Sequence, residues 1–247
     1  MEMAQNANSE TEALKYVNKA LKLEPNNVDA LILKAQIKAN SNIDLLKKVE
    51  KILESGKKYL EDEGIYTEEN IGDFWLILET RPYMRGMAFY LEMLIELSMF
   101  KNSIKVAESM LNLCKNDNLG IRYRLMALYA YFEDIEKGEN LYKENMKYDD
   151  TQILLPASIL YYKQRNFNKA KQILMKLEKS NKDTKKFFKI IIEGNLTSDK
   201  FEDFYGIYRP GTIEEYYLAF YEGMFLYSDV ISYFEWAYNK LSKNSKK

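Results

Sequence analysis

"LLPASILYYKQRNFNKAKQILMKLEKSNKD" (residues 154–183) holds two helical patterns that meet at Phe167. In the second, Ala170, Leu174 and Leu177 recur at helical spacing, with Lys182 beyond the last turn. In the first, Leu154, Ala157, Ser158 and Tyr161 share one face. Small Ala157 and Ser158 let two helices approach closely, and the aromatic side chains fill the wedge between them. The stretch therefore reads as a helix–turn–helix hairpin.

The same spacing recurs upstream. Ser103, Ala107 and Met110 lead to Lys115 in "NSIKVAESMLNLCKND" (residues 102–117), and a weaker copy runs Gly138, Tyr142, Asn145, Asp150. Ser103 to Gly138 is 35 residues and Gly138 to Ala170 is 32, a period of about 34. Each copy has an apolar helix ahead of it: Met87, Tyr90, Leu91 and Leu94 in one case, Ile121, Arg124, Leu125 and Leu128 in the other. "EALKYVNKALKLEPNN" (residues 12–27) carries Ala13, Val17 and Ala20 before Pro25 stops the helix. The phase breaks between Ala13 and Ser103. A helix over 28–39 and a long amphipathic run over 43–61 (Leu46, Val49, Leu53, Leu60) precede a loop rich in charge and glycine.

Helix pairs of about 34 residues with this small/large pattern resemble the tetratricopeptide repeat. The resemblance is good at 151–182 and 84–117, fair at 1–40 and weak at 118–150. It implies an all-α fold, a right-handed α–α superhelix closed by a C-terminal capping helix pair. The expected organisation is N-terminal helices over 1–61, a linker loop and short helix over 62–80, a repeat array over 81–196, and an irregular connection with capping helices over 197–247. Tyr216, Tyr217, Phe220, Tyr221, Phe225, Phe234 and Trp236 are expected to form the core of that cap, since a terminal repeat has no neighbour to cover it. The order of "ETRPYMR", "NDNLGIRY", "KYDD" and "YRPGTIEEYYLAFY" over residues 70–240 is also similar to bacterial tetratricopeptide proteins akin to the suppressor-of-tumorigenicity-seven family.

"ETRPYMR" (residues 79–85) sets two arginines around a proline. Pro82 suits the first turn of a helix, where no N–H donor is needed, and Thr80 is placed to cap it. Tyr83, Met87 and Tyr90 or Leu91 then turn inward. Arg81 and Arg85 fall on one face, and Arg122 follows at the next first-helix, behind the capping candidates Asn116, Asp117 and Asn118. Two readings stay open for these arginines: ion pairs with Glu79, Glu92 or Asp117 that lock neighbouring repeats, or a bidentate grip on a partner's carboxylate or phosphate.

Composition narrows the chemistry. The 247 residues include no histidine and one cysteine, and the net charge is −1. Without histidine there is no Ser-His or Cys-His pair, and one cysteine makes neither a disulfide nor a CxxC metal site. Cys114 is expected to be buried. No apolar run reaches the roughly 18–20 residues of a membrane span, and "MEMAQNANSETEA" is polar rather than signal-like. No catalytic residue, metal or cofactor is expected, no membrane partner, and a cytoplasmic setting. The near-neutral charge disfavours nucleic acid, and homo-oligomerisation is left open.

The function these features imply is a non-catalytic adaptor that binds a protein or peptide in a concave groove. Arg81, Arg85, Arg122, Met126, Tyr129, Leu155, Ile159 and Tyr162 are its candidate partner-binding residues, the last six read as exposed inner positions. The resemblance also implies where a chaperone-tail clamp would lie. Those places hold Ile32, Gln36, Ala88 and Glu92 rather than lysine and asparagine, so that ligand is not expected. The alternatives are a regulatory module for a nucleotide or nucleic acid and, behind it, an enzyme using carboxylates such as Asp149 and Asp150 or the acids of 61–69.

Overall fold

The computed structural model describes residues 2–146, 148–197 and 208–244. Among these no strand forms; isolated bridges join Gly72 and Asp73 to Cys114, and the rest of the regular structure is helical. The expected irregular connection falls largely on 198–207, outside the described residues. The chain divides into two compact units, Met1–Ile121 and Arg122–Lys247.

The first unit contains α1 (Glu2–Gln5), α2 (Glu10–Leu23), α3 (Val28–Lys38), α4 (Asn42–Asp62), a 3₁₀ turn (Leu78–Thr80), α5 (Arg81–Glu96) and α6 (Phe100–Leu113). Ser9, Asn27 and Ser41 cap α2, α3 and α4 by accepting from backbone N–H groups inside each first turn. The apolar stripe of α4 is buried as its spacing requires: Leu46, Val49, Leu53 and Leu60 all face inward. Helices α3, α4 and α5 meet at two glycines. A Cβ on Gly56 would come within 2.8 Å of Val28, and one on Gly86 within 2.6 Å of the same side chain. Tyr83, Met87 and Leu91 are buried in α5, and the Tyr90 hydroxyl donates to Glu50 at 2.7 Å.

The stretch between α4 and α5 is tied to the end of α6. The N–H groups of Gly72 and Phe74 both donate to the Leu113 carbonyl at 3.0 Å. Phe74 is fully buried and meets Tyr66 edge-on at 5.0 Å. Thr80 does precede α5, but its hydroxyl does not cap the helix. The backbone there is already helical after the 3₁₀ turn, so the hydroxyl points back and donates to the carbonyls of Phe74 and Ile77. Asp117 is the capping residue of the next helix, accepting from the Ile121 N–H at 2.7 Å. Cys114 is buried, its thiol donating to Asn118 Oδ1 at 3.4 Å.

The second unit contains α7 (Ile121–Phe132, whose first residue closes the first unit), α8 (Ile135–Asn145), α9 (Thr151–Lys163), α10 (Phe167–Ser180) and α11 (Thr184–Ile192). After the undescribed stretch come α12 (Ile213–Glu222), the short α13 (Met224–Tyr227) and α14 (Ile231–Asn244). Helix α11 packs on α12 and α14 through aromatic rings. Phe187 stacks on Tyr216 at 4.6 Å, Phe188 meets Phe234 edge-on at 5.2 Å, and Phe220 stacks on Tyr227 at 5.6 Å. Tyr217 is buried with them, while Phe225 and Trp236 are half-buried. Tyr221 departs from expectation: it is 64% exposed, because α12 turns Tyr216, Tyr217, Ala219 and Phe220 inward and leaves Tyr221 on the far side.

One turn geometry recurs in three hairpins. Ser98, Glu133 and Arg165 each adopt a left-handed backbone, with φ of 58°, 60° and 59°. The residue after each donates back five positions: Met99 to Leu94, Asp134 to Tyr129, Asn166 to Tyr161. This is the hydrogen-bonded reversal that closes a helix through one left-handed residue. Asp134 and Asn166 then cap the next helix with their side chains, so one residue ends the closing motif and begins the following helix. In the first turn of that helix, Ser103, Gly138 and Ala170 donate to the carbonyls of Met99, Asp134 and Asn166. Smallness there is a packing requirement: a Cβ on Gly138 would fall 2.4 Å from Leu160, and the Ser158 hydroxyl reaches the Ala170 carbonyl at 3.0 Å.

No helix among the described residues is long and apolar enough to cross a membrane. The left-handed positions give a direct test of the turn. Exposed Arg165 holds a conformation that costs an L-residue with a Cβ about 1–2 kcal/mol. Arg165→Gly should therefore raise the unfolding free energy by about 0.5–1 kcal/mol, net of the extra chain entropy of glycine, whereas Arg165→Ala should not. Urea denaturation of the two variants measures this, and a lower midpoint for the glycine variant would contradict the turn.

Candidate functional site

The arginines of the "RPYMR" stretch have separate tasks. Arg81 Nε donates to the Trp75 carbonyl at 2.8 Å, and its guanidinium lies 5.6 Å from the Trp75 ring. It braces the approach to α5. Arg85 grips Asp29 of α3 with two hydrogen bonds, Nε to Oδ1 at 3.2 Å and Nη2 to Oδ2. Glu79 and Glu92 are therefore not its partners, as sequence proximity suggested. Packing of α3 against α5 brings the more distant Asp29 into reach. With Arg85 45% and Asp29 23% exposed, the pair contributes about 1 kcal/mol or less.

Arg122 belongs to the other unit. Its Nη2 donates to the Tyr123 hydroxyl at 2.6 Å, and its guanidinium lies over the rings of Tyr123 and Tyr148 at 4.3 and 5.6 Å. The Tyr123 hydroxyl in turn donates to Asp150 Oδ2 at 3.0 Å. Burial pushes the Tyr123 pKa well above the usual tyrosine range; the Arg122 charge opposes the shift and Asp150 adds to it. The hydroxyl keeps its proton and acts as a relay of hydrogen bonds between the two charges. Beside it, Glu222 joins Arg124 at 3.3 Å and accepts from Gln152 at 2.7 Å.

The apolar candidates are core rather than surface. Met126, Leu155 and Ile159 are fully buried and Tyr129 is 5% exposed. For Leu155 and Ile159 the reason lies in α9, which is buried on every side from Thr151 to Tyr161; a helix apolar all round is an interior helix and presents no groove-facing stripe. Tyr162 is half-buried, packed on Phe167, Tyr233 and Trp236 at 5.6, 5.4 and 5.2 Å.

A buried polar node holds four helix ends in the second unit. Glu215, 5% exposed, accepts from the N–H of Thr151 at 2.9 Å, from Gly211 N–H at 2.8 Å and from Asn181 Nδ2 at 3.3 Å. Asn181 also donates to Thr151 Oγ1 and the Thr212 carbonyl, and Thr184 shares a 2.7 Å hydrogen bond with Tyr216. Asp183 completes the set by accepting from the Ile213 N–H at 3.0 Å. A carboxylate at the start of α9 replaces the cap that the Asp150 side chain does not supply. The node is structural: each polar atom named in it is matched by another.

An open concavity lies in the first unit. A cleft of about 560 Å³ runs between the α2–α3 turn (Leu23 to Val28), the Gly56–Leu60 stretch of α4, and Leu78, Glu79, Pro82 and Tyr83. Leu23 is 80% and Leu78 67% exposed, and Tyr59 is 38% exposed. None of these three was a sequence candidate. A signal was present: Leu23 falls off the Ala13–Val17–Ala20 stripe, two residues before Pro25 stops the helix. Among the described residues no three of cysteine, aspartate and glutamate cluster as a metal site. No model of a known protein family matches the chain, and no curated protein sequence matches it either.

If the node holds the second unit, Glu215→Ala should lower its stability by about 3 kcal/mol or more, because buried donors lose their acceptor. Glu214→Ala, which removes only the surface pair with Arg209, should move the urea midpoint far less. Equal shifts would remove Glu215 from its structural role.

Proposed function

We propose that the chain is a tetratricopeptide-like helical-repeat adaptor, similar in plan to the suppressor-of-tumorigenicity-seven group, that holds a protein or peptide segment without acting on it chemically. The repeat reading draws support from the three identical hairpin turns at Ser98, Glu133 and Arg165, spaced 35 and 32 residues apart. The observation that carries the function is the cleft of the first unit. Its lips are leucines held in water on ordered backbone, beside an exposed tyrosine and two prolines. Apolar side chains fixed around a concavity provide a seat for an apolar anchor of a partner chain. The reading rests on the cleft rather than on Arg81 and Arg85, which hold acceptors of their own chain.

Selection from a displayed random-peptide library tests this. The wild-type protein should enrich peptides that share an apolar anchor. Leu23→Ser with Leu78→Ser removes the apolar lips and should weaken those peptides by about tenfold or more, leaving helicity and melting temperature unchanged because both side chains are exposed. Equal enrichment by both proteins, or none by the wild type, would overturn the proposal.

A further inference from the structure

Resting on the reading of the cleft as a peptide seat, we infer that its occupant is a basic peptide, an apolar anchor flanked by lysine or arginine. The lining contains two carboxylates, Glu24 and Glu79, and no cation. Glu24 accepts a hydrogen bond from Asn27 Nδ2 at 2.7 Å, and no cation of the described residues pairs with Glu79. Three neighbouring cations are engaged elsewhere: Arg81 on Trp75, Arg85 on Asp29, and Lys57 on Glu61 and the Tyr66 ring.

The cleft also borders the most one-sided charge run of the chain. Between Lys58 and Arg81 stand Glu61, Asp62, Glu63, Glu68, Glu69, Asp73 and Glu79, with no lysine or arginine among them. Leu60 and Leu78, which bracket this run, both line the cleft. Helix α2 ends at Leu23, so the negative end of its dipole faces the same place, offset in part by Lys22 in its last turn. Helix α4 ends at Asp62, two residues beyond Leu60, with no basic residue in its last turn. The half-exposed Tyr59 ring adds a face on which a guanidinium or ammonium can rest. An acidic segment would meet uncompensated repulsion here. A basic one gains at each of these points and is drawn in by the field before contact.

Fluorescence anisotropy with three labelled peptides tests the inference. They share one leucine–phenylalanine anchor and differ in flanks of lysine, serine or glutamate. The wild type should bind the lysine-flanked peptide about tenfold tighter than the serine-flanked one, and the advantage should collapse as salt rises toward about 0.5 M. Glu24→Lys with Glu79→Lys should shift the preference to the glutamate-flanked peptide. If lysine- and serine-flanked peptides bind the wild type equally, the basic preference is overturned while the peptide seat stands. If glutamate flanks are preferred by the wild type, the charge assignment is overturned outright. If none of the three binds, the seat itself fails and this inference with it.

Discussion

A helix that ends through a single left-handed residue and hands its chain at once to the next helix leaves no slack between the two axes. That constraint governs three hairpins of this protein. At Ser98, Glu133 and Arg165 the backbone reverses, and five residues later stands Ser103, Gly138 or Ala170, the group whose N–H closes the first turn of the new helix. A larger side chain there would strike the preceding helix or its neighbour, as the Gly138–Leu160 approach makes concrete. Smallness at one position thus follows from the turn, and the apolar stripes of both helices inherit their register from it. Interiors pack densely enough that a misplaced methylene is felt.

In the second unit a polar arrangement follows the last of these turns. Helices α9, α11 and α12 begin and α10 ends around Glu215, Asn181, Asp183 and Thr184; Glu215 and Asp183 accept from backbone donors at the starts of α9 and α12, and the Asn181 and Thr184 side chains donate to the carbonyls of Thr212 and Asn181. Buried carboxylates are costly unless fully hydrogen-bonded, and Glu215 meets that condition with three donors. The aromatic layer of Phe187, Phe188, Tyr216 and Phe234 closes over the node.

What was legible in the sequence followed from local rules. The stripe positions Ala107, Met110, Leu154, Ala157, Leu174 and Leu177 are all buried, and Asp117 caps as its chemistry suggests. The turn residues were hidden because three of them are not glycine, so no composition signal marks a left-handed backbone at Ser98, Glu133 or Arg165. Glu215 was hidden because its partner Thr151 is 64 residues away. Leu155 and Ile159 were misplaced because a groove-facing stripe and an all-round apolar helix look alike when read one face at a time. The cleft joins residues near 25, 58 and 80, which no periodic pattern connects.

The cleft is where this fold presents apolar surface beside unbalanced negative charge. Its two features act on one ligand: the leucines reward an anchor, and Glu24 and Glu79 select what flanks it. Methyl-detected NMR with leucine, isoleucine and valine labels reads the site most directly as a lysine-flanked apolar peptide is titrated in. The account predicts shifts concentrated on Leu23, Val28, Leu60 and Leu78, with Leu154, Leu155 and Ile159 of α9 unmoved. Shifts confined to the second unit, or none at saturating peptide, would contradict it.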